Sequence, residues 1–191
     1  MKDSGETYSV LTYGRIVSLS RQAMVNDDLR AFDRMVAGFG AAARRLENRL
    51  VYAQLTANGN LGDGGALFNA TAVTTPGGHA NLQTGAGSAL QASSLSTGRA
   101  SMRVQAGLQS EELSLAPSYL IVPAALEQTA YQLTSNQYVP ATTGAVNEFR
   151  QGGRTALTPV VETLLDGVSA TAWYLAADTS QVDTEIGRAH V

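Results

Sequence analysis

Histidines, serines and carboxylates are the first places to look for chemistry, and here they do not converge. His79 follows the turn Pro76-Gly77-Gly78, and His190 is next to the last residue. A Ser/His/Asp site on His79 needs a serine in a strained elbow such as G-x-S-x-G, and the chain has none. His79 therefore reads as a solvated turn residue. Gly62-Asp63-Gly64-Gly65 could turn backbone N–H groups toward a phosphate, but it lacks the lysine and hydroxyl of a P-loop and follows no predicted strand. The stretch from Gly85 has two glycines of a dinucleotide fingerprint and no third. Both read as turns. Asp63, Glu111, Glu112, Glu127, Glu148, Glu162 and Asp166 are scattered, so spacing shows neither a paired acid and base nor a hard-metal cluster. The expectation is no catalytic, no cofactor-binding and no metal-ligating residues, hence no enzyme.

Composition narrows the classes further. The chain has no cysteine, which removes disulfides, thiolate metal sites and cysteine nucleophiles. Lys2 is its only lysine, so the body has no Schiff-base or phosphate-gripping lysine. A formal charge of -3 gives no overall basic field, which argues against nucleic-acid binding as the main task. With 191 residues and 44% hydrophobic content, the chain can bury a real core in one domain or two small lobes. No apolar run reaches membrane-spanning length, and "MKDSGETYSV" lacks a signal peptide's apolar stretch, so synthesis in the cytoplasm without membrane contact is expected.

The elements that would position these residues are dominated by one helix. "ETYSVLTYGRIVSLSRQAMV" alternates as extended chain, with Tyr8, Val10 and Thr12 on one face and a turn or bulge at Tyr13-Gly14-Arg15. Asn26, Asp27 and Asp28 supply an N-cap and negative charge for a helix start. Leu29, Phe32, Val36, Phe39, Ala43, Leu46 and Leu50 then form a continuous apolar stripe, with Arg34, Arg44, Arg45 and Arg49 largely off it. Asn58-Gly59 supplies a left-handed stop. Such a rod is roughly 43 Å long, more than the width of a small domain. Two shorter helices broken at Gly38 or Gly40 are the alternative.

Asn58 to about Ser88 is rich in Gly, Thr, Asn and Ala and reads as a loop, long enough to be functional or mobile. A helix in "ALQASSLSTGRASMRVQA" places Leu95, Arg99 and Met102 along one side. "ELSLAPSYLIVPAALEQTAYQLTSNQ" reads as strand, turn, buried strand and a helix opened by Pro123. A second loop, "YVPATTGAVNEFRQGGR", precedes strands in "TALTPVV" and "ATAWYLAAD", where Trp173 and Tyr174 read as core.

The order of "VLTYGRIVSLSRQAMVNDDLRAFDR", "AARRLENRLVYAQL" with "GGALFN", "LAPSYLIVPAALEQTA" and "ATAWYLAAD" resembles the Mu-like major head subunit family. These are major capsid proteins of tailed phages with the Hong Kong-type capsid fold. The resemblance runs from Glu6 to Asp178. It implies an α+β fold in which residues 1–25 belong to an extended loop reaching across a neighbour. Residues 26–65 would form the spine helix of a peripheral domain, its apolar stripe packed on a sheet, and residues 66–178 the axial domain and return strand. It further implies a structural protein of phage or prophage that self-assembles through hexamers and pentamers into an icosahedral shell around DNA. Its partners would be copies of itself, a prohead protease, a scaffold, a portal, and weakly and non-specifically contacted packaged DNA. The location would be the virion, and the host cytoplasm during assembly. Arg15 and Arg21 stand where some phages of this fold carry a cross-linking lysine, so a noncovalent shell is expected.

The family continues past the aromatic strand, so residues 179–185 read as the start of a longer C-terminal part, and an arm is expected before Met1. Ile186-Gly187-Arg188-Ala189-His190-Val191 matches one reading frame of a common sequencing-library adapter, and residues 186–191 are expected to be read-through. Two other classes stay open. A head-module hydrolase or protease would need a nucleophile and base that spacing does not reveal. A scaffold would be more helical and charged, and a tail tube component richer in strands.

Overall fold

The computed structural model describes residues 11–18, 20–25, 31–107, 111–135, 149, 152–153 and 156–181. The expected N-cap at Asn26 to Asp28, Lys2, Glu148, most of the second loop and the two chain ends lie outside these residues. Helix α1 spans Arg21–Val25, α2 Ala31–Ala57, α3 Ala92–Arg103 and α4 Glu127–Thr134. Strands β1, β2 and β3 span Pro117–Val122, Thr158–Val161 and Tyr174–Ala177. The architecture is mixed helix and strand, an α+β arrangement.

β1 is the central strand of a three-stranded sheet in the order β2-β1-β3. It runs parallel to β2, pairing Leu120 with Pro159, and antiparallel to β3, pairing Leu120 with Leu175. Its sequence "YLIV" suits this position because β-branched and large apolar side chains fill both faces of a central strand. Leu120 and Val122 are fully buried. They meet Leu95 of α3, Ala130 and Leu133 of α4, and Leu90, Phe149 and Leu157, so the core lies between one face of the sheet and two short helices. Leu126, Val161, Trp173 and Leu175 close its margin.

Polar side chains complete the corners of this body. The Asp166 carboxylate accepts the N–H groups of Ala124 (2.7 Å) and Ala125 (3.0 Å), satisfying donors at the turn that leads into α4. The Gln181 amide both accepts from Ala116 N–H (2.8 Å) and donates to Ala116 C=O (3.0 Å), continuing the β1–β3 pairing by one side chain. At the start of α3, Ser94 Oγ accepts the N–H of Gln91 (3.0 Å), one arm of a capping box.

The rod forms as one helix, unbroken at Gly38 and Gly40, and its 27 residues span about 40 Å. Its stop is as expected, since Asn58 takes the left-handed conformation (φ 46°). Its packing is not. Among the described residues no sheet lies beneath the expected apolar stripe. Val36 is 70% exposed, Phe39 and Leu50 are also exposed, and Leu46 is only half-buried. None of the core cluster comes from α2. Only the last turns approach the body. There burial pushes the Tyr52 phenol above its ordinary pKa, and the negative charge of Glu162 adds to the effect.

Two other expectations are corrected. Residues 11–18 form no strand and are exposed throughout, because no described segment offers them a ladder. Residues 21–25 are helical rather than extended, since the unbranched Arg21, Gln22 and Met24 favour a helix when no ladder is available. "ELSL" contributes a single bridge, Ala106 with Glu112, and not a strand.

The chain exposes 13902 Å². A compact monomer of its mass would expose about 8,700 Å².

Candidate functional site

The loop between α2 and α3 is where the chain departs most from the reading of its polar residues. Three asparagines and one histidine stitch it. Asn58 Oδ1 accepts the N–H of Phe68, and Asn58 Nδ2 donates to the C=O of the same residue (3.0 Å), as a strand partner would. Asn81 repeats the device, accepting from Asn69 N–H (2.9 Å) and donating to Leu67 C=O (2.8 Å). Asn69 is the hub. Its Oδ1 accepts from His79 N–H (2.9 Å) and Thr71 N–H (3.1 Å), and its Nδ2 donates to Ala66 C=O (2.8 Å) and Gly77 C=O (2.9 Å).

His79 is no free turn residue. Its Nδ1 lies 2.7 Å from Ala66 C=O, and its Nε2 lies 3.0 Å from Asp63 Oδ2. The ring donates to both acceptors only when it is doubly protonated. Asn69 Nδ2 also lies 3.1 Å from His79 Nδ1, so in the neutral ring with its proton on Nε2 the Nδ1 lone pair can accept from Asn69 while Nε2 donates to Asp63. Asp63 is held from two sides. The Gly65 N–H (2.9 Å) and then the His79 ring keep its carboxyl below the usual carboxylate range.

The glycines here serve close approach. A Cβ on Gly65 would collide with the carbonyl of Gly77, and Gly77 itself needs positive φ (71°). The two turns read from "GDGG" and from Gly85 are turns in the structure, with Gly64 N–H donating to Leu61 C=O (2.9 Å) and Ser88 N–H to Gly85 C=O (3.0 Å). The stitches were missed because asparagine was read as loop composition. Its habit of hydrogen-bonding nearby backbone was the available signal.

Beside this loop, α3 and β3 enclose a cleft of about 680 Å³ lined by Phe68, Asn81, Gln83, Gln105, Trp173 and Tyr174 among others, none of them charged. Trp173 Nε1 donates to Ser88 C=O (2.7 Å), which ties the loop's end to β3. Trp173 packs at the core margin as expected, while burial pushes the Tyr174 phenol up. The sheet does not gather the scattered carboxylates. Asp166 caps the entry to α4, Glu162 accepts from Leu164 N–H (3.0 Å) at the exit of β2, and Glu112 sits in a bridge. Among the described residues no group of three His, Asp or Glu could hold a metal ion.

The surface that remains is built for contact rather than for reaction. Met35, Val36, Phe39, Leu50 and Val51 of α2 are exposed together with Leu11, Tyr13, Ile16 and Val17 of the arm. Exposed apolar area of this extent marks an interaction site. Among the described residues no helix is long and apolar enough to cross a membrane.

Comparison with known proteins agrees with this reading. No curated protein and no solved structure matches the chain. The sequence profile of a family described as phage capsid protein matches residues 5–189, nearly the whole length. That match places the chain in the phage capsid protein family, structural subunits that self-assemble into the shell of the virion.

Proposed function

We propose that this chain is a major capsid subunit of the Mu-like, Hong Kong-type class, assembling through hexamers and pentamers into a closed icosahedral shell around phage or prophage DNA. The observation that carries the proposal is α2, whose apolar residues Val36, Phe39 and Leu50 are exposed among the described residues. In this reading residues 26–65 are the spine of a peripheral domain, residues 66–178 the axial domain and return strand, and residues 1–25 part of the extended loop. The sheet expected under the spine is supplied by a neighbour or by chain beyond the described residues. A prohead protease, a scaffold and a portal complete the assembly line, and contacts with packaged DNA are weak and non-specific.

The test is expression of the chain with and without its head-module partners, followed by sedimentation and electron microscopy. Capsomers or closed particles are expected. A monodisperse monomer at high concentration under both conditions refutes the proposal.

A further inference from the structure

The chain carries a formal charge of -3, yet α2 carries Arg34, Arg44, Arg45 and Arg49 against Asp33 and Glu47 alone. All four arginines are exposed, and none meets a carboxylate among the described residues. At 100° per residue, Arg34, Arg45 and Arg49 fall within an arc of about 60°, turned about 140° from the centre of the apolar stripe. Glu47 falls outside that arc. The positive charge is therefore separated both from the helix's own acid and from the face that seeks a protein partner.

Two details point to what lies against this face. Arg45 and Arg49 stand at i and i+4, where like charges destabilise a helix unless an external anion relieves them. Between the arginines the face carries Gly38, Ala41 and Ala42, and a Cβ on Gly38 would touch nothing. Packing among the described residues therefore gives no reason for that glycine, which in a helix interior is less favourable than alanine. Arg45 Nε donates to Ala41 C=O (3.2 Å), which holds that side chain along the strip, and guanidinium groups that meet no carboxylate among the described residues let a bulky anionic surface approach closely. From Arg34 to Arg49 the strip extends about 22 Å, long enough to lie along several phosphates of a duplex.

We infer that the Arg34, Arg45 and Arg49 face of α2 is a sequence-independent contact for the phosphates of duplex DNA. The inference rests on the capsid reading above and assigns to one helix face the DNA contact that reading leaves unlocated. Guanidinium groups suit this task because they pair with phosphate oxygens in a fixed fork and remain charged. The negative charge of the whole chain keeps the contact weak and confines it to this strip, as a packaged genome that must later leave requires.

The test measures binding of the full chain to a duplex DNA of arbitrary sequence by fluorescence anisotropy across a range of salt concentrations, with sedimentation of the same samples. Each phosphate neutralised contributes about 0.9 to the slope of log K against log salt. Arg34→Gln, Arg45→Gln and Arg49→Gln should each lower the slope by about 0.9, and the triple variant by between 2 and 3, with particle formation unchanged. Arg103→Gln, an exposed arginine on α3, should leave the slope as it is. An unchanged slope in the triple variant overturns the inference. So does loss of particles with DNA binding intact, which would assign the strip to an acidic surface on another subunit. Failure of the wild-type chain to form particles counts against the capsid reading alone, since the slopes are measurable on the unassembled chain.

Discussion

His79 shows how much one side chain does when its neighbours converge. Its replacement by alanine removes the contacts to Ala66 C=O and to Asp63 and leaves the half-buried carbonyl of Ala66 to Asn69 alone. We expect His79→Ala to weaken the loop by about 1–2 kcal/mol. The check is faster hydrogen exchange at the Asn69 and His79 amides with the β1 amides unaffected, and equal protection in the variant and the wild type would contradict the stitched loop. Asp63 supplies a second measurement. Its pKa is lower in the folded chain than the unfolded value of about 3.9, so its contribution is present above that value and lost as the pH falls through the lower folded one. The Gly65 amide resonance should therefore titrate with a midpoint below the ordinary carboxylate range. Asp63→Asn should abolish that titration, and a midpoint at or above the ordinary value would exclude the hydrogen bonds described. None of this was legible in the sequence, because Asp63, Asn69 and His79 meet through turns whose geometry depends on Gly65 and Gly77 packing backbone to backbone.

At the level of elements, the strongly periodic segments were legible and the partners of those segments were not. The apolar repeat pointed to α2 as one long helix, Asn58-Gly59 to its stop, and the runs "YLIV", "TPVV" and "YLAA" to the three strands. Periodicity says which face of a helix is apolar, but it cannot say whether the cover for that face belongs to the same chain. Leu46 lies on the stripe and is only half-buried, whereas Leu120 is fully buried in the central strand. Leu46→Asp should therefore abolish particle formation while leaving the unfolding of the body nearly unchanged, because the cost of an unpaired carboxylate falls on the assembled state. Leu120→Ala should cost about 2–5 kcal/mol in the unassembled chain. Thermal unfolding and sedimentation of both variants separate the two effects, and comparable loss of chain stability in both would show that α2 is seated within its own subunit.

The whole molecule divides the labour between a small packed body and a long uncovered rod. The body's core is a sheet of three strands with two helices against it, so its stability is that of a modest domain. The phage capsid protein family model matches residues 5–189 and so takes in both the body and the rod.

The clamp between Asn58 and Phe68 acquires a meaning at that scale. It sits where the rod meets the body, so it serves as the pivot of a lever about 40 Å long, and a tilt of about 5° there displaces the far end by about 3.5 Å. In a closed container, the angle between neighbouring tiles sets the radius. A pivot held by a rigid amide pair keeps that angle uniform, whereas a loose pivot lets tiles join at several angles. Asn58→Gly keeps the left-handed backbone and deletes the amide, so the chain should still fold and assemble, with a broader distribution of particle diameters in electron micrographs. Identical distributions would mean that curvature is set elsewhere in the subunit.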